Sequence, residues 1–324
     1  MPGLVIQSLD VKRSILSWIT LAILVAPAAF PQSPLNEAKP TNPKQTGVGQ
    51  GLARNNFVKT AAEFAPAPWP PLDVDAGPPT VTSNVPCPLS NVLRGATQHA
   101  VDFAANLEKF TATEIVQSTD ARKDGSWNRL QGNTFSYLAL VSHPRNGVVY
   151  VAEERAGNEN FGPPPVRTAG LAAAALIFHP QTINDFGTTC EGMGEWDGKP
   201  AWIVHFAQKK EVPPHFQSIR VNNKFYGVKL KGRAWIASDN FEIVHIDTDL
   251  SEQIPQIRLL TEHTSIEYGP VGFKTGNLRL WLPQEVEFYM DVGGHRYFNH
   301  HKLSNFLLFS VDTKQETQLP RLPE

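Results

Sequence analysis

"GRAWIASDNFEIVHIDTDL", residues 232–250, is the stretch whose reading decides the fold. Ala234, Trp235 and Ile236 lead into Asp239-Asn240, and Phe241 to Ile246 lead out of it. β-branched and aromatic residues on either side of a turn-forming pair predict two antiparallel strands closed by a tight two-residue turn. From Phe241 on, Phe241 and Ile243 point to one side and Val244 and Ile246 to the other. A strand apolar on both faces needs cover on both, so the hairpin belongs to a sheet with something packed against it.

Similar strands surround it. "TATEIVQS" from Thr111, "TFSYLALVS" from Thr134, "GVVYVAEERA" from Gly147 and "PAWIVHFAQ" from Pro200 come before; "TEHTSIEY", "LRLWLP", "EVEFYMDV" and "KLSNFLLFSV" come after. Each is short and bounded by turn residues, which gives about ten antiparallel strands. Two segments read as helix instead. "SNVLRGATQHAVDFAANLEKF" has Ser90 as N-cap and a stripe of Leu93, Ala96, Ala100, Phe103, Leu107 and Phe110. "AGLAAAALIFHP", Ala169 to Pro180, is too short to cross a bilayer and too apolar to lie exposed. The echo between "GKPAWIVHF" (198–206) and "GRAWIAS" (232–238) places Trp202 and Trp235 at equivalent positions on neighbouring strands.

These elements define an α+β fold: a large curved antiparallel sheet, an open half-barrel, with two or three helices packed as a lid. The chain has 324 residues, 41% of them hydrophobic, enough for a sizeable core. Residues 1–28 have the layout of a signal peptide, with Lys12 and Arg13, the apolar run Ile15 to Ala26 and the small-residue site at Ala26-Pro27-Ala28. Export to a periplasmic or secreted location follows, with no integral membrane span in the mature chain; the alternative reading of the same run is an uncleaved N-terminal anchor. Residues 29–86 are Pro-rich and aperiodic and read as a disordered linker. Residues 87–314 form the folded domain, and 315–324 a flexible tail. In an oxidising compartment the two cysteines, Cys87 and Cys190, are free to pair. A formal charge of −2 spread along the chain excludes a nucleic-acid footprint.

Motifs for chemistry are sparse. His295, His300 and His301 cannot share one ion, because on a strand His295 and His301 stand about 20 Å apart. No metal site or cofactor is expected. His245, Asp247 and Asp249 share a strand face, which leaves a hydrolase centred on His245 and Asp247 as the weakest of three functional alternatives. No nucleophile motif accompanies them, so no catalytic residue is assigned. The carboxylate pairs Glu153-Glu154 and Glu285/Glu287 read as solvated. The apolar strand faces carry more side chains than two helices cover, and that surplus is read as a cavity wall. Trp202, Trp235, Phe241, Ile243, Leu280 and Phe288 are the candidate ligand-lining residues, a set that a one-residue shift in register would exchange.

The order of elements also resembles a known family. A first helix running into "LEKFTATEIVQ", then a strand meander, the hairpin "GRAWIASDNFEIVHI", "YGPVGF" and "LWLP", is similar to the periplasmic lipoprotein carriers of the LolA and LppX type. The resemblance spans about residues 90–312. It implies an unclosed barrel with a helical lid that binds a lipid, acyl chain or lipoprotein as a carrier or chaperone, without catalysis. The Pro-rich segment, the insertion from Lys209 to Lys231 and a disulfide are departures from that family. The second alternative is an envelope sensor or interaction module whose partner is another envelope protein.

Overall fold

The computed structural model of the chain describes residues 9–11, 71, 73–82, 84–107, 109–121, 126–142, 149–157, 166–214, 216–222, 224–273 and 278–309. The apolar run of the expected leader, the spacer up to residue 70 and the 315–324 tail lie outside them. In chain order the elements are β1 (Leu9–Val11), α1 (Leu89–Asn106), β2 (Lys109–Ala121), β3 (Gln131–Ser142), β4 (Tyr150–Ala156) and β5 (Val166–Arg167). They continue with β6 (Phe186–Trp196), β7 (Lys199–Gln208), β8 (Gln217–Val221), β9 (Lys224–Val228), β10 (Leu230–Ala237) and β11 (Ile243–Leu250). β12 (Leu259–Gly272), β13 (Arg279–Val292) and β14 (His295–Phe309) complete the series.

Ten strands form one antiparallel sheet, ordered β4-β3-β2-β14-β13-β12-β11-β10-β7-β6, with β4 and β6 as free ends. The expected number of strands is met by two compensating differences. "LRLWLP" and "EVEFYMDV" are one strand, β13, because Pro283 sits where the ladder to β12 shifts register at Tyr268, a place that tolerates a residue without an N–H. β6 fills the vacated count. A second, four-stranded sheet, β5-β1-β8-β9, uses the Lys209–Lys231 insertion for its β8–β9 hairpin.

The hairpin 232–250 resolves its own puzzle. Trp235 pairs with His245 but Ile236 pairs with Ile243, so Val244 is an extra residue, a β-bulge. The bulge rephases β11. Ile243 and Ile246 join the same core face, opposite Ile236 and Ala234, while His245 and Asp247 face outward. One apolar face, interrupted once, had looked like two. The turn is also longer than the expected two residues: Phe241 N–H donates to Ala237 O at 2.9 Å, and Phe241 takes the left-handed conformation at φ 61°. Antiparallel pairing of β7 with β10 places Trp202 against Ile236 and Trp235 against Ile203. The two tryptophans therefore face opposite sides of the sheet, not equivalent sites.

The sheet curls. β4 and β7 stand eight spacings apart in the order, about 38 Å if the sheet were flat. Yet Ala172 donates its N–H to Glu153 of β4 at 2.9 Å, and Phe178 meets the Phe206 ring of β7 edge-on at 6.0 Å. The six-residue step between Ala172 and Phe178 reaches at most about 20 Å. Only a sheet that brings its two sides together over this segment accommodates both contacts.

One α-helix is present among the described residues where two or three were expected. Residues 169–178 instead make a turn and a short 3-10 helix, Ala174–Phe178, preceded by Gly170 at φ 89°. Tertiary partners remove the need for α-helical hydrogen bonds. The Glu153 carboxylate accepts from Gly170 and Ala172, and the Thr182 hydroxyl shares its one proton among the Leu176, Ile177 and His179 carbonyls, all within reach. Leu171, Ala172, Ala173, Leu176, Ile177 and Phe178 are each at most 3% exposed, so the segment is a plug filling the concave face. α1 starts at Leu89 after Pro88, which puts Ser90 inside the helix and not at its cap. Its Val92, Ala96, Ala100, Phe103 and Ala104 are buried.

The ordered region begins earlier than residue 87. Asp73 and Asp75 both pair with Lys231 at 2.7 Å, Asp75 with His205 at 2.9 Å, and Val74 N–H donates to Asp249 at 2.7 Å. The last part of the Pro-rich segment thus straps the outer face of β7, β10 and β11. Thr82 then donates to Met193 of β6, and Cys87 forms a disulfide with Cys190 of the same strand.

Candidate functional site

With the plug in place, a space of about 30 Å³ remains beside it, lined by Thr168, Gln217, Thr248, Glu262, Thr264 and Phe288 among others. That holds one water-sized group. The wide container expected from the apolar inventory is therefore occupied by the chain's own Leu171–Phe178.

A larger cleft, about 260 Å³, lies between α1 and the sheet. Its apolar wall is Ala100 and Phe103 of α1, Ala175 of the plug, Ile243 of β11, and Leu278, Leu280 and Trp281 at the start of β13. Tyr268 stands at the wall with its hydroxyl buried, which pushes its pKa far above the ordinary phenol value. Charge is confined to the rim, where His99, Asp102, Glu242 and Arg279 gather.

The helix wall is held at two places. The disulfide fixes the approach to α1, and the β10–β11 turn grips its middle. There the Phe241 ring lies against Gly95, His99 Nε2 meets the Asn240 carbonyl at 2.7 Å, and His99 Nδ1 meets Glu242 at 3.1 Å. Burial raises the Glu242 pKa to about 7, against the pull of His99; Asp102 adds to the rise and Arg279 opposes it. The left-handed backbone at Phe241 costs about 1–2 kcal/mol, which packing of its ring on the helix offsets.

The six residues proposed from the sequence separate by position. Ile243 and Leu280 line the cleft, and Phe241 stands beside it on Gly95. Phe288 faces the plug, and Trp202 is on the core face near β6. Trp235 lies on the outer face, 5.3 Å from Trp196 and 4.9 Å from the His245 ring. Sequence reasoning missed Phe103 as a wall residue, although its helical stripe was read, and missed Tyr268, Glu242 and Arg279, whose isolated positions carry no pattern.

Two polar clusters bear on the alternatives. On the outer face, Asp247 Oδ1 approaches His245 Nε2 at 2.8 Å and the Ser265 hydroxyl approaches the same nitrogen at 3.5 Å, while His245 Nδ1 is buried without a partner. A relay needs the acid and the nucleophile on opposite nitrogens. This arrangement does not supply one. On the inner face, Arg155 forks onto Glu114 at 2.5 and 2.9 Å and donates to the Thr168 carbonyl at 2.8 Å. His301 Nδ1 sits 2.9 Å from Glu114 and its Nε2 2.8 Å from the Thr168 hydroxyl. Burial lowers the His301 pKa, so the ring is neutral, donating to Glu114 and accepting from Thr168. Burial would raise the Glu114 pKa, but Arg155 and His301 hold it at about 2. Together with Glu153 this cluster fastens the base of the plug. Glu153 and Arg155, in "AEERA", therefore face inward and not toward solvent.

No family model and no curated protein matches the sequence. Among solved structures the chain is similar to a DUF1329 family protein from Desulfovibrio piger, with 10% identity over 72% of this chain and 96% of that one, TM-score 0.39. It is also similar to a domain from Vibrio parahaemolyticus assigned to outer membrane lipoprotein sorting, with 10% identity over 70% and 95%, TM-score 0.34. A LolA superfamily protein from Nitrosomonas europaea has 11% identity over 68% and 94%, TM-score 0.29. One of these three carries the LolA name suggested by the sequence resemblance. At such identities and scores no ligand or mechanism passes from them to this chain, and the fold rests on the strand pairing described above.

Proposed function

We propose that this chain is an exported, non-catalytic carrier that binds an acyl or similar apolar chain in the cleft between α1 and β11–β13. The observation that supports it is the cleft itself: about 260 Å³ walled by Phe103, Ile243, Tyr268 and Leu280. At about 30 Å³ per water-sized group, that volume takes roughly nine groups of methylene size. Burial at about 0.8 kcal/mol per methylene gives a ceiling of about 7 kcal/mol, a Kd of about 10 micromolar or weaker. Such an affinity suits a carrier that must release its cargo. The Cys87–Cys190 disulfide supports residence in an oxidising compartment, and the leader read in residues 1–28, whose removal would take β1 with it, would deliver it there.

Native mass spectrometry of the purified protein, followed by organic extraction, tests this. The expected result is a bound species that carries an alkyl chain and is lost in Ala100→Phe, which fills the cleft. An empty protein that takes up no alkyl compound would end the proposal.

A further inference from the structure

Resting on the cleft reading, we propose that the ligand carries an anionic head, a carboxylate or a phosphate, and that Arg279 is its contact at the rim. The four rim charges are unequally engaged. His99 is shared between the Asn240 carbonyl and Glu242, and Asp102 accepts from Gln98 at 2.8 Å. Glu242 is turned to His99. Arg279 is exposed, lines the cleft, and has no hydrogen-bond or ion-pair partner among the described residues. A guanidinium offers five N–H donors in a planar fork that matches two oxygens of a carboxylate or phosphate. Its position at the start of β13 is next to Leu280, which lines the apolar wall, so head and chain are recognised by adjacent residues of one strand.

The other rim acid does not cancel this. Glu242 spends its charge on His99, and its burial favours the neutral form near neutrality. An anion at Arg279 therefore competes with Glu242, a carboxyl that also feels the Arg279 charge but is readily protonated.

Titration of the full chain with decanoate, decyl phosphate, decanol and decyltrimethylammonium, read by calorimetry, separates the outcomes. The expected order is both anions tighter than decanol by roughly tenfold, with the trimethylammonium compound weakest. Arg279→Gln should bring the anions down to the decanol level. Arg279→Glu should reverse the preference toward the cation. Which anion binds tighter identifies a carboxylate or a phosphate source. Equal binding of decanoate and decanol, unaltered in Arg279→Gln, would overturn the head-group assignment while leaving the cleft intact. No binding of any of the four overturns the cleft reading and this inference with it. Because Arg279 is exposed and unpartnered, its variants should retain the wild-type unfolding temperature, and that measurement confirms that any affinity change is local.

Discussion

Gly95 of α1 and Phe241 of the β10–β11 turn meet so closely that a Cβ on Gly95 would lie 2.4 Å from Phe241 Cγ. Ordinarily, replacing a helix-interior glycine by alanine stabilises by about 1 kcal/mol. Here the ring, held by a left-handed backbone, has little room to withdraw. Gly95→Ala is expected to destabilise by about 1–3 kcal/mol, the usual cost of overpacking. Thermal unfolding reads the sign directly, and a rise in Tm would refute the contact. In a Phe241→Ala background, which carries its own loss of packing, Gly95→Ala should add little further cost, because the clash is removed.

The disulfide closes a separation of 103 residues. In the chain-entropy model such a loop contributes about 4–5 kcal/mol. Replacing both Cys87 and Cys190 by serine should lower stability by about that amount. It should also weaken alkyl binding, since the residues leading into α1 lose their anchor on β6. Thiol titration of the denatured, unreduced protein should detect no free thiol; two thiols would contradict the bridge.

How far the sequence revealed this fold depends on where local pattern and tertiary demand agree. α1 was readable because its buried stripe repeats at helical steps, and β10–β11 because apolar runs flank turn residues. β6 was not, since "FGTTCEGMGEW" contains three glycines and pairs through its backbone despite a composition that reads as loop. Residues 169–178 read as helix because alanine and leucine favour it. The carboxylate of Glu153 and the hydroxyl of Thr182 redirect that backbone, and both are distant from the pattern that a short window sees. The bulge at Val244 is a one-residue insertion in the ladder, invisible until its partner strand is known. For the cleft, Ile243 and Leu280 were legible as strand-face apolar residues. Arg279 and Glu242 acquire meaning only once β13 and the β10–β11 turn converge on α1.

The inner cluster gives a sharp stability test. Glu114 is fully buried, and its charge is compensated chiefly by Arg155. Arg155→Met leaves that carboxylate without its fork and should cost about 3–5 kcal/mol. Glu114→Met with Arg155→Met removes both charges and should cost less, because neither member of the pair is left buried without the other. Chemical denaturation of the four proteins in the cycle yields the coupling. Additive losses would show that the pair does not act as a unit, and the plug would then have to be held by Glu153 and packing alone.

Glu262 provides the pH dependence. It is 3% exposed, its Oε1 accepts from Gln217 at 2.6 Å, its Oε2 has no partner, and burial raises its pKa from 4.5 to about 7. A carboxyl whose folded pKa lies above its unfolded value holds a proton in the native state that the unfolded chain has released. Stability from this group therefore falls as pH rises from about 4.5 to about 7 and is level on either side. The full swing is on the order of 3 kcal/mol. Glu262→Gln keeps an acceptor for Gln217 and presents its amide to the hydroxyls of Thr248 and Thr264, which line the same small space. The variant should match the wild type near pH 4, where both carry no charge at this position, and exceed it by up to that swing at pH 8. Urea unfolding at the two pH values measures the difference. An equal gap at both would mean that packing, not ionisation, governs the site.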